Sequence, residues 1–451
     1  MRLLCSKFFA ILGLCSINSL YAVEHECPNI VVMFVDDLGC NDLGYKNPSF
    51  HTPNINELAQ NSIDFINAYV PSPTSSPSRV GLLTGRYPVK VGFTRHIDDN
   101  AFDPFGTGEY GMFRNDPGKK PSRQFLPLDE ITFAEVLKKS GYTTCAIGKW
   151  HLGGEKYYPQ KQGFDIVYGE SDLGHPVSYF EPYFTKSDFH DKNGKYLTDY
   201  LTDSAIEVIK THDYKKTPLC MYLAHYGVHS PIQAPQKIVD KYLSKGIKGN
   251  YATYHAMVEA IDNSVGNILQ AIKDSGQEDN TIFVFTSDQG GLFTNYPYRG
   301  GKMVGTALYE GGARIPFIIS IPGHKPQSIK ERVTTLDIFP TLLDLVGCDV
   351  SEYPQLDGIS LMQIIDEHKE ISRPLFSYRS YDDQVCFVIL DDLKLIYTRS
   401  GNHELFDLKK DPFEQNNIYG NILYNDKRNE LVNIVEDFLK KYEPKSVEIS
   451  K

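Results

Sequence analysis

The chain has 451 residues, 41% of them apolar, enough to bury one large core and a smaller second one. Its formal charge of −11 and the absence of a basic stretch argue against a nucleic-acid backbone as partner. Beyond the amino terminus no apolar run is long enough to span a bilayer.

Met1-Arg2, an apolar run from Phe8 to Leu14 and the triplet Leu20-Tyr21-Ala22 predict an export signal cut after Ala22. Lipoprotein processing at Cys15 is the second choice, because Leu14 is larger than the residue usual before a lipidated cysteine. Cleavage leaves Cys27, Cys40, Cys145, Cys220, Cys348 and Cys386 without a C-x-x-C pair, so a thiolate zinc site is not expected. Cys145 and Cys220 lie in apolar runs and are expected to be buried as small hydrophobes.

Asn29 to Val35 is a continuous apolar, β-branched run, the pattern of a strand buried on both faces of a parallel sheet. It stops at Asp36-Asp37-Leu38-Gly39. Adjacent carboxylates at the end of a buried strand are costly unless paired or bound to a cation, although Asp-Asp before Gly also suits a solvated turn. Thr52 to Ala59 reads as a capped helix, followed by a Pro- and Ser-rich loop that runs into Val80–Leu83. Ser75 or Ser76 is expected to cap that second helix, with Pro77 at its first position. Its free amides and Arg79 would attract an anion. Residues 94 to 123 read as a long loop near the site, and Glu130 to Lys139 as a helix.

A strand over Tyr142 to Ile147 leads into Gly148-Lys149-Trp150-His151, and one over Leu219 to Ala224 leads into His225 and His229-Ser230-Pro231. Tyr254 to Ile272 has a helical period, with Asp262 expected to be exposed or near the site. The Thr281 to Ser287 strand ends in Asp288-Gln289-Gly290-Gly291. Two strands that finish in oxygen ligands suggest one shared site for a hard cation, at the sheet edge where α/β proteins bind ligands. A helix over Thr335 to Leu345 closes this part. From Pro374 the pattern changes to short strands, Leu375–Arg379, Gln384–Leu390, Leu393–Thr398 and Glu404–Asp407, before an amphipathic helix from Arg428 to Tyr442.

Ser75-Ser76-Pro77-Ser78-Arg79 through Leu83-Thr84-Gly85-Arg86 resembles, without a gap, the C/S-x-P-S-R-x-x-x-L-T-G-R signature of the type I sulfatases. The G-K-W-H-L-G string at 148–153, the H-x-P at 229–231, Arg299-Gly300-Gly301-Lys302 and the Y-E-G-G-x-R-x-P string at 309–316 are similar to further elements of that family. The resemblance implies an α/β fold: an alkaline-phosphatase-like large domain with a mostly parallel central sheet flanked by helices, plus a small C-terminal antiparallel sheet with one helix. It divides the chain into a signal peptide (1–22), a catalytic domain (23–372) and a C-terminal subdomain (373–451).

It further implies that Ser75 is oxidised to formylglycine (3-oxoalanine), by a maturase in the cytosol before export, whose hydrate attacks sulfur. Asp36, Asp37, Asp288 and Gln289 would hold a divalent metal together with the modified Ser75, Ca2+ ahead of Mg2+. The family most often has Asn where this chain has Gln289, which keeps the amide oxygen on a longer arm. Arg79 would orient the diol, and Lys149 and Lys302 would hold the sulfate. His229 would protonate the leaving oxygen, and His151 would take the proton that releases sulfate. The Gly174-His175-Pro176 string is similar to carbohydrate sulfatases acting on galactose or N-acetylgalactosamine, which implies a sulfated glycan as substrate with His175 against the sugar; exo action is expected, and the amino-terminal signal with the serine-type signature implies an exported, periplasmic enzyme. The competing readings are a metal-dependent phosphoesterase of the alkaline phosphatase superfamily and a non-catalytic glycan-binding relative.

Overall fold

The computed structural model describes residues 27–98, 100–169, 172–185, 194–302 and 305–448, so the predicted export signal and Cys15 lie outside the described residues. Its strands in chain order are β1 (Asn29–Val35), β2 (Ile63–Tyr69), β3 (Tyr110–Gly111), β4 (Ser122–Arg123), β5 (Thr143–Gly148), β6 (Ile166–Tyr168), β7 (Leu219–Ala224), β8 (Thr281–Ser287), β9 (Arg314–Ile315), β10 (Phe317–Ser320) and β11 (Gln327–Thr334). The large sheet has the order β11-β2-β10-β8-β1-β7-β5-β6, with β9 on β2 and β3 paired with β4 apart from it. β1 lies between β8 and β7 and runs parallel to both, β5 is parallel to β7 and β6, and β10 is antiparallel to its neighbours.

Helices α1 (Pro53–Asn61), α2 (Ser75–Thr84), α3 (Phe133–Lys139), α4 (Leu197–Thr211), α5 (Gln236–Ser244) and α6 (Gly249–Asp274) cover both faces of the sheet. Ile30, Val32 and Phe34 of β1 join α2 and α3 in one core, while Val31, Met33 and Val35 join α1, α4, α5 and α6 in the other. That division explains the unbroken apolar run in the sequence: both faces of β1 are dry. Each such buried side chain is worth about 1.5–3 kcal/mol over its exposed state. Cys145 and Cys220 are free and buried, one in each core.

The register brings the strand ends together. Val35 pairs with Ser287, Phe34 with Ala224 and Gly148 with Ala224, so the residues that follow β1, β8, β7 and β5 emerge along one edge.

One expectation changes. Asp262 is fully buried and far from idle: its carboxylate accepts from Asn54 N (3.3 Å), Asn54 Nδ2 (2.8 Å) and Ile55 N (2.8 Å). It therefore caps α1 from another helix, in place of Thr52, whose side chain makes no cap bond there. Asp262→Ala is expected to cost about 1–3 kcal/mol in a urea titration with turnover per folded molecule unchanged. His225, to which the sequence assigned no role, turns its ring to Ser264 Oγ at 3.1 Å between α4 and α6. Burial pushes it down to about 3, so it is neutral.

Strands β12 (Leu375–Tyr378), β13 (Gln384–Leu390), β14 (Leu393–Thr398) and β15 (Glu404–Asp407) form the small antiparallel sheet, and the Asn425–Tyr442 helix covers it through Leu431, Val435 and Phe438. Its other face, with Phe387, Ile389, Ile396 and Phe406, belongs to the large core. Tyr378 N donates to Pro71 O and Ser380 N to Thr94 O, both at 3.0 Å, which ties this sheet to the loops either side of α2.

Candidate active site

α2 begins at Ser75, one residue after an extended Thr74 that makes no side-chain cap bond. Ser75 and Ser76 are thus inside the helix, not ahead of it. Ser76 Oγ instead accepts from Ile97 N at 3.1 Å and fastens the 94–98 loop, which leaves Ser75 on the wall of a 400 Å³ cavity. His96, Asp98, Asn100, His151, Asp172, His175, His229, Gln289, Lys302 and Tyr381 share that wall.

Beneath the cavity, Asp36, Asp37 and Asp288 are fully buried and each offers an oxygen within 4.8 Å of the others. Three cations face them. Lys149 Nζ bonds Asp36, Lys302 Nζ lies 2.5 Å from Asp37 Oδ2, and Arg79 Nη2 lies 3.0 Å from Asp288 Oδ2 and 3.7 Å from Asp36 Oδ2. Arg79 is wholly buried, its other nitrogen set by Tyr222 OH (3.3 Å) and Lys149 O (3.4 Å). The charges cancel, three against three, so the cluster alone has no surplus for an anion.

The groups fit a divalent cation. Asp36 Oδ1 and Gln289 Oε1 are buried without a hydrogen-bond partner among the described residues, a costly state for two hard oxygens. Burial together with the Asp36 charge raises Asp288, the response of a third carboxylate crowded against two others. Asp36 itself, despite burial that pushes it up, is held below the usual carboxylate range by Lys149, His229 and Arg79. A bound divalent ion would satisfy the orphaned oxygens and leave net positive charge facing the cavity.

The histidines are set for different tasks. His151 follows β5 with φ of 56°, a conformation uncommon for non-glycine residues, which brings Nε2 to 3.0 Å from Ile97 O. Bonding to a carbonyl places the proton on Nε2 and leaves the lone pair on Nδ1. Burial, then Lys149, lowers His151 well below its ordinary value, so it stands neutral as a base. Gly174 packs on this ring: a Cβ there would lie 2.6 Å from Cε1. His229 Nδ1–H donates to Ser230 O (2.8 Å), and Nε2 turns toward Asp37 Oδ2, 3.8 Å away. His175 is exposed and stacks on His229, ring centres 5.6 Å apart and 7° from parallel.

All eleven residues singled out from the sequence meet here, ten in or under the cavity floor and His175 at its mouth. His96, Asp98, Asn100, Asp172 and Tyr381 were not named from the sequence. The loop at 94–123 holds three of them, Asp172 lies beside the Gly174-His175-Pro176 string, and nothing local marked Tyr381, delivered by the small sheet. A larger cavity of 920 Å³ between Asp344 and Ser372 contains none of these groups.

Residues 28–348 match the family model Sulfatase, and 305–441 match the model for the C-terminal part of N-sulphoglucosamine sulphohydrolase. The chain belongs to the sulfatase family. This sulfatase is 32% identical to N-acetylgalactosamine-6-sulfatase of Mus musculus over 82% of its own length and 72% of the relative's. It is 31% identical to arylsulfatase A of Homo sapiens, over 88% and 84% of the two chains. Among solved structures, Ps i-CgsB in complex with k-i-k-neocarrahexaose superposes with a TM-score of 0.78 at 28% identity, covering 92% of this chain and 93% of that one. The sulfatase is a sulfuric ester hydrolase with the large mostly parallel sheet and small antiparallel sheet of its relatives. Formylglycine and a divalent metal are typical of the family, and the buried Asp36–Asp37–Asp288 cluster is where a metal fits.

Proposed function

We propose that this sulfatase removes a single sulfate from a galactose-type sugar at a glycan end, with Ca2+ in the Asp36–Asp37–Asp288–Gln289 site and Ser75 matured to formylglycine. The observation that carries this reading is the placement of Ser75, at the start of α2, on the same cavity wall as Lys302, His151 and His229 and over the carboxylate cluster. When present, the aldehyde hydrate supplies the oxygen nucleophile and the cation supplies Lewis acidity at the sulfate.

The chain's own groups do the rest. Lys302 and Lys149 set the sulfate against Ser75 and offset its charge. Arg79, immobilised by burial and four polar contacts, fixes the start of the reaction geometry. His229 acts in its doubly protonated form, which Asp37 favours against burial: Nδ1–H stays on Ser230 O and the Nε2 proton goes to the departing sugar oxygen. His151, neutral and with Nδ1 bearing its lone pair, takes the proton whose loss expels sulfate. A cavity of 400 Å³ is of a size for one substituted hexose ring, which supports exo action. The N-acetylgalactosamine-6-sulfatase relatives support the choice of sugar. The amino-terminal segment supports export to a periplasm, which in turn asks for a cytosolic maturase as a transient partner.

A panel of mono- and disaccharides bearing one sulfate each, assayed with protein made alongside the maturase, tests the reading. Release from galactose or N-acetylgalactosamine sulfates but not glucosamine sulfates is the expected result. Cleavage of phosphate esters in preference to all sulfates would support the phosphoesterase alternative. His175→Ala is expected to raise KM for the sugar about tenfold, with turnover of an aryl sulfate unchanged, because its stacked ring is at the mouth rather than at sulfur.

A further inference from the structure

We infer that Asp42, Asn295 and Tyr254 are positioning residues that hold the metal ligands in their binding geometry; the inference rests on the sulfatase reading of the carboxylate cluster. The register of β1 with β8 ends at Val35 and Ser287; one further bond, from Asp288 N to Val35 O (3.0 Å), reaches the first ligand of the β8 loop, and Asp37 and Gln289 lie beyond it. Asp37 moreover has φ of 61°, a conformation that a non-glycine residue keeps only when its surroundings over-determine it.

Those surroundings converge on one carboxylate. Asp42, 4% exposed, accepts from Gly39 N (3.0 Å), Asn295 Nδ2 (2.8 Å) and Tyr254 OH (2.5 Å). Asn295 Oδ1 in turn accepts from Asn41 N (2.9 Å) and Cys40 Sγ (3.4 Å). The Tyr254 hydroxyl also lies 3.3 Å from the carbonyl oxygen of Asp37, which Leu292 N reaches at 3.1 Å. Three segments are thereby locked: the loop carrying Asp36 and Asp37, the loop that follows Asp288 and Gln289, and α6.

The space is filled to contact. A Cβ on Gly39 would lie 2.2 Å from Asn295 Nδ2, and one on Gly291 would lie 2.8 Å from Asp42 Oδ2. The clamp therefore touches both ligand-bearing loops directly, while none of its side chains lines the cavity or reaches substrate.

The test is calorimetric titration of CaCl2 into the chelator-stripped full chain, beside the melting temperature of the stripped protein. Tyr254→Phe and Asn295→Ala are expected to weaken Ca2+ binding 10- to 100-fold. Ser264→Ala, which removes a buried hydroxyl elsewhere on α6, is expected to keep wild-type affinity. If the clamp variants only lower the melting temperature and bind Ca2+ as wild type does, the residues merely brace the fold and the inference is overturned. Should Asn295→Ala fail to fold, Tyr254→Phe, which loses one oxygen, decides alone. Wild type that binds neither Ca2+ nor Mg2+ overturns the cation site itself, and the clamp with it.

Discussion

Replacing Ser75 with alanine is expected to lower kcat toward sulfate esters by about 10⁴-fold or more, with no loss of fold. Ser75 is the first helical residue of α2 and not its N-cap, which is Thr74, and alanine suits a helix better than serine, so its removal costs the structure little. In the proposed mechanism it removes the oxygen from which the nucleophile is made. Ser76, one residue on, cannot substitute: its hydroxyl is buried against Ile97 N and does not face the cavity. The comparison of initial rates on an aryl sulfate, with circular dichroism to confirm the fold, checks this. A Ser75→Ala protein that retained a tenth of the wild-type rate would remove Ser75 from the mechanism.

The second large effect lies 84 positions from its partner in sequence, at Lys394. Its ammonium is fully buried between Glu310 Oε1 and Glu414 Oε1, 2.8 Å from each. Glu310 also accepts from Tyr69 OH (2.9 Å), and Glu414 accepts from Glu310 N (2.7 Å). This knot joins the stretch just before β9 to the small sheet. Lys394→Met would leave two carboxylates in a dry space with Arg314 as the nearest cation, 3.4 Å from Glu310. Breaking such a pair from one side typically costs about 3–5 kcal/mol, a large share of the 5–15 kcal/mol usual for a folded chain.

The sign with pH follows. Burial already raises Glu414, and loss of Lys394 raises it further, so the folded variant binds more protons than the unfolded chain. Its deficit against wild type is expected to be greatest at alkaline pH and to shrink as pH falls. Urea midpoints at pH 6 and pH 8 measure this, and equal midpoints for variant and wild type at pH 8 would contradict it.

Why the metal site was legible and its support was not has a physical basis. An apolar run that stops dead in Asp36-Asp37, repeated at Asp288-Gln289, is a local signal, because burial of the strand forces the carboxylates to the edge where they must find a charge. Lys149 and His151 carry the same mark after β5. Asp262 misled for the opposite reason: a carboxylate on a helix with an apolar period reads as solvated, and the amides it caps belong to α1, some two hundred residues earlier. Asp42, Asn295 and Tyr254 are equally silent in sequence, since each is defined by a partner on another segment. Tyr381 reaches the cavity because the small sheet is hydrogen-bonded to the loops beside α2, which no periodicity within residues 373–451 could indicate. The helix start shifted by two residues for a smaller reason: an extended Thr74 precedes it, so Pro77 falls at the third position, where its missing amide is still harmless.

The most direct measurement is peptide mass spectrometry across Ser75 on protein produced with a formylglycine-generating enzyme, paired with a sulfate-release assay on the same sample. The expected result is a Ser75 peptide two hydrogens lighter than its sequence requires, with activity that scales with the converted fraction. An unmodified Ser75 in a preparation that still turns over, on sulfate or phosphate esters, would contradict it.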